Sequence, residues 1–314
     1  MKISIIGPGF MSIPPIGWGA IESLVWDYSE NLKKNGHNVQ LVNTSDNSEI
    51  INLVNSFNPD FVHLQYDDYA YLMKYIKCKN KAVTTHYAYT EQYEKHPEYH
   101  NILKSFIDGD FYLFCLSESI ANVYKSLGID PERLKVTPNG ARSDAFKYNE
   151  ICSLPDKSIY LAKIDYRKRQ YLFQDLDFIN FVGNNHDSRF NGNLSNYLGE
   201  WSKETLYNNL TNYGNLVLLS DGEADPLVTK EAMMAGLGLV ISEYATANLD
   251  LNLPFISVIE EGKINDMEYV SKIINSNREL SVSMRNDIRK YALENVSWEV
   301  VVPKYVNTIQ SLLN

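Results

Sequence analysis

Short runs rich in Val, Ile and Leu alternate with segments of helical period from one end of the chain to the other. Runs at 2–7, 38–43, 60–65, 81–86, 111–116 and 134–139 read as strands, and a second set follows at 158–163, 178–183, 215–220 and 237–242. Segment 22–36 shows the other period: Leu24, Val25, Tyr28 and Leu32 recur along one helix face, and Gly36 stops it. Strands apolar on both faces and separated by helices belong to parallel sheets covered on each side. The expectation is an α/β protein.

Turn-forming residues are densest at 138–158, where Pro138-Asn139-Gly140 is followed by a polar stretch and by Leu154-Pro155-Asp156. The strand–helix pattern restarts at Ser158, so the expected domains are 1–150 and 151–296, with 297–314 set apart as a closing helix. A chain of 314 residues exceeds what one ordinary core supports, which agrees with two domains. Ligands of open parallel sheets sit beyond the carboxyl ends of the strands. A cleft between two such domains is the expected site.

Composition narrows the classes. Hydrophobic residues make up 44%, without low-complexity segments, which excludes a disordered chain. The net charge of −10 disfavours non-specific binding to nucleic acid or anionic membrane, so membrane contact is peripheral at most. No apolar run approaches the roughly 18 residues of a membrane span. The N-terminal run breaks at Gly7-Pro8 and reads as a first strand, not a signal peptide. Cys78, Cys115 and Cys152 are widely spaced and odd in number, which suits reduced structural thiols and a cytoplasmic protein. The histidines are scattered, no Asp-x-Asp set flanks a strand end, and Asp67-Asp68 reads as a helix cap, so no metal is expected.

One stretch concentrates chemistry: DGEADPLVTKEAMMAGLGLVIS, residues 221–242. The preceding strand should end near Ser220, with Pro226 in the first turn of a helix over 227–235 and Gly236 as its stop. Glu223 then lies in the loop and Glu231 about one turn into the helix. Backbone amides at Leu227 and Val228 suit an anion. A carboxylate accepts two hydroxyl hydrogen bonds at once, which suits a ribose diol or a sugar.

The stretch resembles the E-x7-E signature of retaining GT-B glycosyltransferases of family 4, roughly E-G-F-G-L-x-x-x-E-A-M-A-x-G-x-P-V-I. Glu223, Leu227, Glu231, Ala232, Met233, Ala235, Gly236, Val240 and Ile241 agree with it, whereas Ala224 and Pro226 replace glycines and Gly238 replaces the proline. Residues 14–39 resemble the family's opening, whose glycine-containing loop approaches the donor diphosphate and here is Gly17-Trp18-Gly19. VTTHYAY (83–89) is similar to the strand end that carries the family's histidine, here His86. YLAKIDYRKRQ (160–170) resembles the stretch whose two cations clamp the diphosphate, with Lys163 in the arginine position and Lys168 in the lysine position; Ala162 and Arg169 replace the flanking glycines. Residues 117–141 resemble the close of the first domain, and 296–313 the helix that crosses back onto it. Residues 180–202 are shorter than the family's counterpart, at the nucleotide-base pocket.

The resemblance implies a GT-B architecture, two Rossmann-like domains facing a central cleft. It also implies a retaining, metal-independent hexosyl- or pentosyltransferase. The donor would be a UDP- or GDP-sugar and the acceptor a hydroxyl on a glycan, lipid-linked or small molecule; no cofactor is expected, and a modified nucleic-acid base is disfavoured by the charge. Glu231 would hold the ribose, Glu223 the sugar hydroxyls, and His86 the sugar. Lys163 and Lys168, with amides at Gly19, Leu227 and Val228, would take the leaving diphosphate's charge, with Pro226 opening that helix. An epimerase or hydrolase of nucleotide sugars, or an inactive nucleotide-sugar-binding scaffold, remains open. Each residue also has a plain reading: Glu223 and Glu231 as acids at a helix start, 167–169 as a solvated face with Lys163 ending a strand, Gly17-Trp18-Gly19 as a turn, and His86 as a strand-end histidine. His37, His63 and Asn139-Gly140 read as structural, and 86–100 as an acceptor flap or a surface loop.

Overall fold

The computed structural model describes residues 1–87 and 92–313. The chain divides into two compact units, Met1–Asn139 with Trp298–Asn314, and Gly140–Ser297. The division falls before the expected boundary at 150, because the polar stretch ahead of it bonds to the second unit: the N–H groups of Ala141, Lys147 and Asn149 donate to the Val296 carbonyl, the Tyr207 carbonyl and Thr211 Oγ1. The first strand of that unit starts at Leu154, inside the Leu154-Pro155-Asp156 run read as a linker. Its first three residues are exposed and its pairing is irregular between Leu154 and Ser158, which lets a strand carry a proline at its edge.

Unit 1 holds strands β1 (Lys2–Ile6), β2 (Asn38–Val42), β3 (Phe61–Leu64), β4 (Lys81–Val83), β5 (Tyr112–Cys115) and β6 (Leu134–Val136). They form one parallel sheet in the order β2-β1-β3-β4-β5-β6. Helices α1 (Ala20–Lys34), α2 (Asn47–Phe57), α3 (His100–Asp108) and α4 (Glu118–Ser126) connect them. The expected face of α1 is the one that packs: Leu24, Val25, Tyr28 and Leu32 are buried. The chain's last helix, Trp298–Leu313, belongs to this unit. Trp298 Nε1 donates to Asp27 at 3.2 Å, and Tyr28 packs against both Trp298 and Tyr305, with ring centroids 4.7 and 4.9 Å apart.

Unit 2 holds β7 (Leu154–Leu161), β8 (Ile179–Val182), β9 (Tyr213–Leu218), β10 (Gly238–Ser242) and β11 (Ile256–Ile259). All pair in parallel, in the order β11-β10-β9-β7-β8. The short edge strand β11 has no counterpart among the expected strands. Every residue of β9 and β10 is buried, as a sheet covered on both faces requires. Helices α5 (Gln170–Phe173), α6 (Lys203–Asn209), α7 (Leu227–Met234), α8 (Met267–Ser283) and α9 (Arg285–Asn295) complete the unit.

Two glycines after α7 have distinct reasons. Gly236 stops the helix at φ +83°. Gly238 stands where the family resemblance expects proline, and the packing explains the departure. Its N–H donates to Ser281 Oγ at 2.6 Å, a bond proline lacks, and a β-carbon there would lie 2.8 Å from the Phe255 carbonyl.

Candidate functional site

Strand order reverses between β1 and β3 in unit 1 and between β7 and β9 in unit 2. At such a point the two loops leaving the carboxyl ends diverge and leave a crevice, the usual ligand position of open α/β sheets. Each unit therefore has one such crevice.

In unit 2 the loops are 162–169, after β7, and 219–226, after β9. Tyr160, fully buried in β7, ties them together: its hydroxyl accepts the Leu219 N–H at 2.8 Å and donates to the Lys168 carbonyl. The Asp221 N–H adds a backbone bond to the Arg167 carbonyl at 2.9 Å. Asp165 Oδ1 orders the first loop by accepting the N–H groups of Arg167 and Lys168 at 3.0 and 3.1 Å. On this frame Lys168 forms an ion pair with Glu223, the two side chains only 16% and 12% exposed. The resemblance keeps these residues in separate roles, and the fold makes them direct partners. Lys163 is exposed, and its carbonyl accepts from Gln170 Nε2 at 3.0 Å.

Arg169 departs from the solvated-face reading. Its φ is +58°, a left-handed conformation that suits the glycine of the resembled motif. Its guanidinium forks onto Glu261, just past β11, with contacts of 2.7 and 2.8 Å. The side chain fastens the loop to its neighbour, which a solvated residue does not do.

Helix α7 begins after Pro226, which occupies the cap position one residue before the first turn, and no side chain caps its amides. Leu227 and Val228 are half-buried there, and Glu231 is half-buried one turn on. Between the two glutamates lies a pair the sequence reading passed over. Lys230 and Asp225, 1% and 0% exposed, meet at 2.6 Å, and Asn248 Nδ2 donates to the other Asp225 oxygen at 2.9 Å. Burial lowers the Lys230 pKa and the Asp225 charge opposes that shift. The signal available in sequence was only the spacing, an acid just before the helix and a lysine in its second turn.

In unit 1 the loop after β1 contains Gly7, Pro8 and Gly9. Gly9 has φ +80°, and a β-carbon there would lie 2.3 Å from the Thr44 backbone carbon, so this glycine is required. Of the residues taken from the resemblance, Gly19 caps α1, and a β-carbon there would lie 2.6 Å from the Glu22 carboxylate, whose side chain would have to shift. Gly17 faces open space, and Trp18 is 45% exposed. The loops are joined by the Gln65 N–H to the Ile6 carbonyl at 2.9 Å and by Tyr69 Oη to the Pro8 carbonyl at 3.0 Å.

His86 lies past the end of β4, which stops at Val83. Its Nε2 is 2.7 Å from Gln65 Oε1, and burial pulls its pKa down to about 4. His63, in β3, is buried behind it; burial and the neighbouring His86 lower its pKa to about 3. Asp67 is not a helix cap. It opens a 3-10 helix, Asp67–Tyr75, without capping it, and its carboxylate accepts from Thr85 Oγ1. Burial raises the Asp67 pKa to about 6. Of the segment 86–100, residues 88–91 lie outside the described residues. The three cysteines are free, with Cys115 and Cys152 buried. Among the described residues no helix is long and apolar enough to cross a membrane, and no group of three His, Cys, Asp or Glu side chains is placed for a metal ion.

No protein-family model and no curated protein matches the sequence. Solved structures do match. Sucrose-phosphate synthase from Thermosynechococcus elongatus superimposes with a TM-score of 0.76 at 14% identity, over 99% of each chain. HepE of Anabaena in complex with UDP-glucose gives 0.75 at 12% identity, over 99% of this chain and 100% of that one. AviGT4, a glycosyltransferase involved in avilamycin A biosynthesis, gives 0.72 at 13% identity, over 100% of this chain and 98% of that one. The fold is GT-B. At these identities the likeness is one of architecture: two Rossmann-like units, each a parallel sheet reversed at one point.

Proposed function

We propose that the protein is a glycosyltransferase that moves a sugar from a UDP- or GDP-sugar to a hydroxyl of a glycan, lipid-linked or small-molecule acceptor. The reaction retains anomeric configuration and needs no metal ion. One observation carries this reading: the Lys168–Glu223 pair spans the two loops at the strand reversal of unit 2, beside the start of α7, with Glu231 a turn further on. A nucleotide diphosphate suits that place, because a cation and uncapped helix amides both favour phosphate. The names of the fold neighbours agree, HepE having been solved with UDP-glucose.

In this mechanism Glu231 accepts the ribose hydroxyls. Glu223 offers about four acceptor positions, of which Lys168 takes part of one oxygen and orients the rest toward sugar hydroxyls. Lys163 and Lys168, with the amides of Leu227 and Val228, stabilise the charge that grows on the departing diphosphate. In unit 1, Gly19 opens α1 toward the same class of anion, and His86 bonds a sugar hydroxyl. The acceptor attacks on the face the diphosphate leaves, and the phosphate takes the acceptor's proton. The protein supplies position and charge, not a nucleophile.

The test is UDP binding by calorimetry and UDP-sugar turnover, each in EDTA and again with added Mg²⁺ or Mn²⁺. Glu231→Ala should weaken nucleotide binding by about 1–3 kcal/mol, the scale of hydrogen bonds involving a charged group. Lys168→Ala should lower kcat/KM by about 2–4 kcal/mol, mostly in kcat, because its interaction strengthens as charge develops. Unchanged nucleotide affinity in Glu231→Ala removes the ribose assignment. Turnover that appears only with added Mg²⁺ or Mn²⁺ removes the metal-free mechanism.

A further inference from the structure

A buried chain of hydrogen bonds in unit 1 runs from the Phe114 carbonyl to His86, and its protons can be placed one at a time. Thr84 Oγ1 lies 3.0 Å from the Phe114 carbonyl and 2.8 Å from His63 Nε2. A hydroxyl has one proton, and the carbonyl can only accept it. Thr84 therefore donates to Phe114 and accepts from His63, which places the His63 proton on Nε2.

The other side of the same ring agrees independently. The Tyr305 hydroxyl, from the last helix, lies 2.8 Å from His63 Nδ1 and is buried. Its proton has an acceptor there only if Nδ1 is bare. A neutral His63 with hydrogen on Nε2 meets both demands, and its burial keeps it neutral.

Gln65 carries this choice outward. It is 1% exposed, and its side-chain nitrogen lies 3.0 Å from His63 Nδ1. A bare Nδ1 can share its lone pair between the Tyr305 hydroxyl and an N–H but repels an oxygen, so the Gln65 amide nitrogen faces His63 and its oxygen faces His86, 2.7 Å from Nε2. The reversed amide would set its oxygen against the bare Nδ1, acceptor against acceptor. An amide oxygen accepts, so His86 Nε2 bears the hydrogen. We infer that Gln65 is a positioning residue that pins the His86 proton on Nε2, leaving Nδ1 as a hydrogen-bond acceptor for a donor-type group such as a sugar hydroxyl.

The ligand class follows from that lone pair. A neutral ring presenting a bare nitrogen binds an O–H or N–H and gains nothing from a carboxylate or carbonyl. On the glycosyltransferase reading, on which only this identification of the ligand rests, that donor is a hydroxyl of the transferred sugar.

Imidazole nitrogen NMR on the whole protein tests the proton position without any ligand. His86→Gln identifies the His86 signals by their disappearance. The wild type should show His86 with hydrogen on Nε2 and a bare Nδ1, and the Nδ1–H form as the main species overturns the inference. Gln65→Leu, which removes the acceptor from His86 Nε2, should release the ring to a mixture of tautomers. A folded Gln65→Leu that still holds His86 entirely as Nε2–H also overturns it. With UDP-hexose, Gln65→Leu should lower kcat/KM by roughly three- to tenfold, the scale of one hydrogen bond, with UDP affinity unchanged. The expected tautomer together with no turnover of any nucleotide sugar would sink the glycosyltransferase reading and leave the proton assignment standing.

Discussion

Tyr160→Phe isolates the frame that brings Lys168 to Glu223. The substitution keeps the ring, which stacks on Phe181 with centroids 5.9 Å apart, and deletes only the hydroxyl. Two backbone groups lose a partner: the Leu219 N–H, in a residue with no exposure, and the Lys168 carbonyl, in a half-buried loop. An unsatisfied buried polar group costs about 1–3 kcal/mol. The Leu219 N–H falls toward the upper part of that range. The carbonyl falls near the lower end, because water reaches the loop and a carbonyl has a second lone pair. The sum is about 2–4 kcal/mol. Burial pushes the phenol pKa well above its usual value, so the hydroxyl stays protonated and the effect should not vary across neutral pH. Hydrogen exchange reads it locally: peptides covering Leu219 should exchange faster, and urea should unfold unit 2 at a lower midpoint. Trp201 is the tryptophan in that unit and reports on it. If Leu219 exchange and the unit 2 midpoint matched wild type, the hydroxyl would not hold the two loops, and the site would owe its geometry to something else.

Two further outcomes are expected. Lys230→Met should destabilise unit 2 by about 3–5 kcal/mol by leaving the Asp225 carboxylate buried without its cation, and adding Asp225→Asn should recover most of it; equal stability of single and double variants in urea would contradict the pairing. Arg169→Ala and Arg169→Gly both lose the fork to Glu261, but glycine relieves the left-handed backbone and should be more stable by about 1 kcal/mol; the reverse order would contradict the φ of +58°.

Much of the fold was legible because it is locally encoded. Apolar runs marked ten of the eleven strands among the described residues; central strands such as β9 and β10, buried on both faces, must be apolar along their length, and the half-buried edge strands β2 and β6 keep enough Val and Leu to be read. Helix α7 followed from Pro226 and Gly236, each a backbone constraint that acts within one turn. Two departures remain: β11 was not marked, and β7 starts through a proline because its first residues are exposed. A required glycine, Gly9, was visible as a residue but not as a constraint, because the atom it avoids belongs to Thr44.

The candidate residues could be named from the sequence, but their partners could not. Lys168 and Glu223 are 55 positions apart, Arg169 and Glu261 92, and His63 and Tyr305 242. Such pairs depend on which strands become neighbours, and a crossover connection carries no periodic signal of where it returns. The strand order alone puts the loops after β7 and β9 side by side, joined by a buried tyrosine that reads in sequence as one more apolar strand residue. The sequence by itself determined the elements and the stock of acids, lysines and histidines. Only the tertiary structure decided which carboxylate meets which lysine and which nitrogen of His86 holds the proton, because hydrogen bonds form between groups the sheet order brings within about 3 Å.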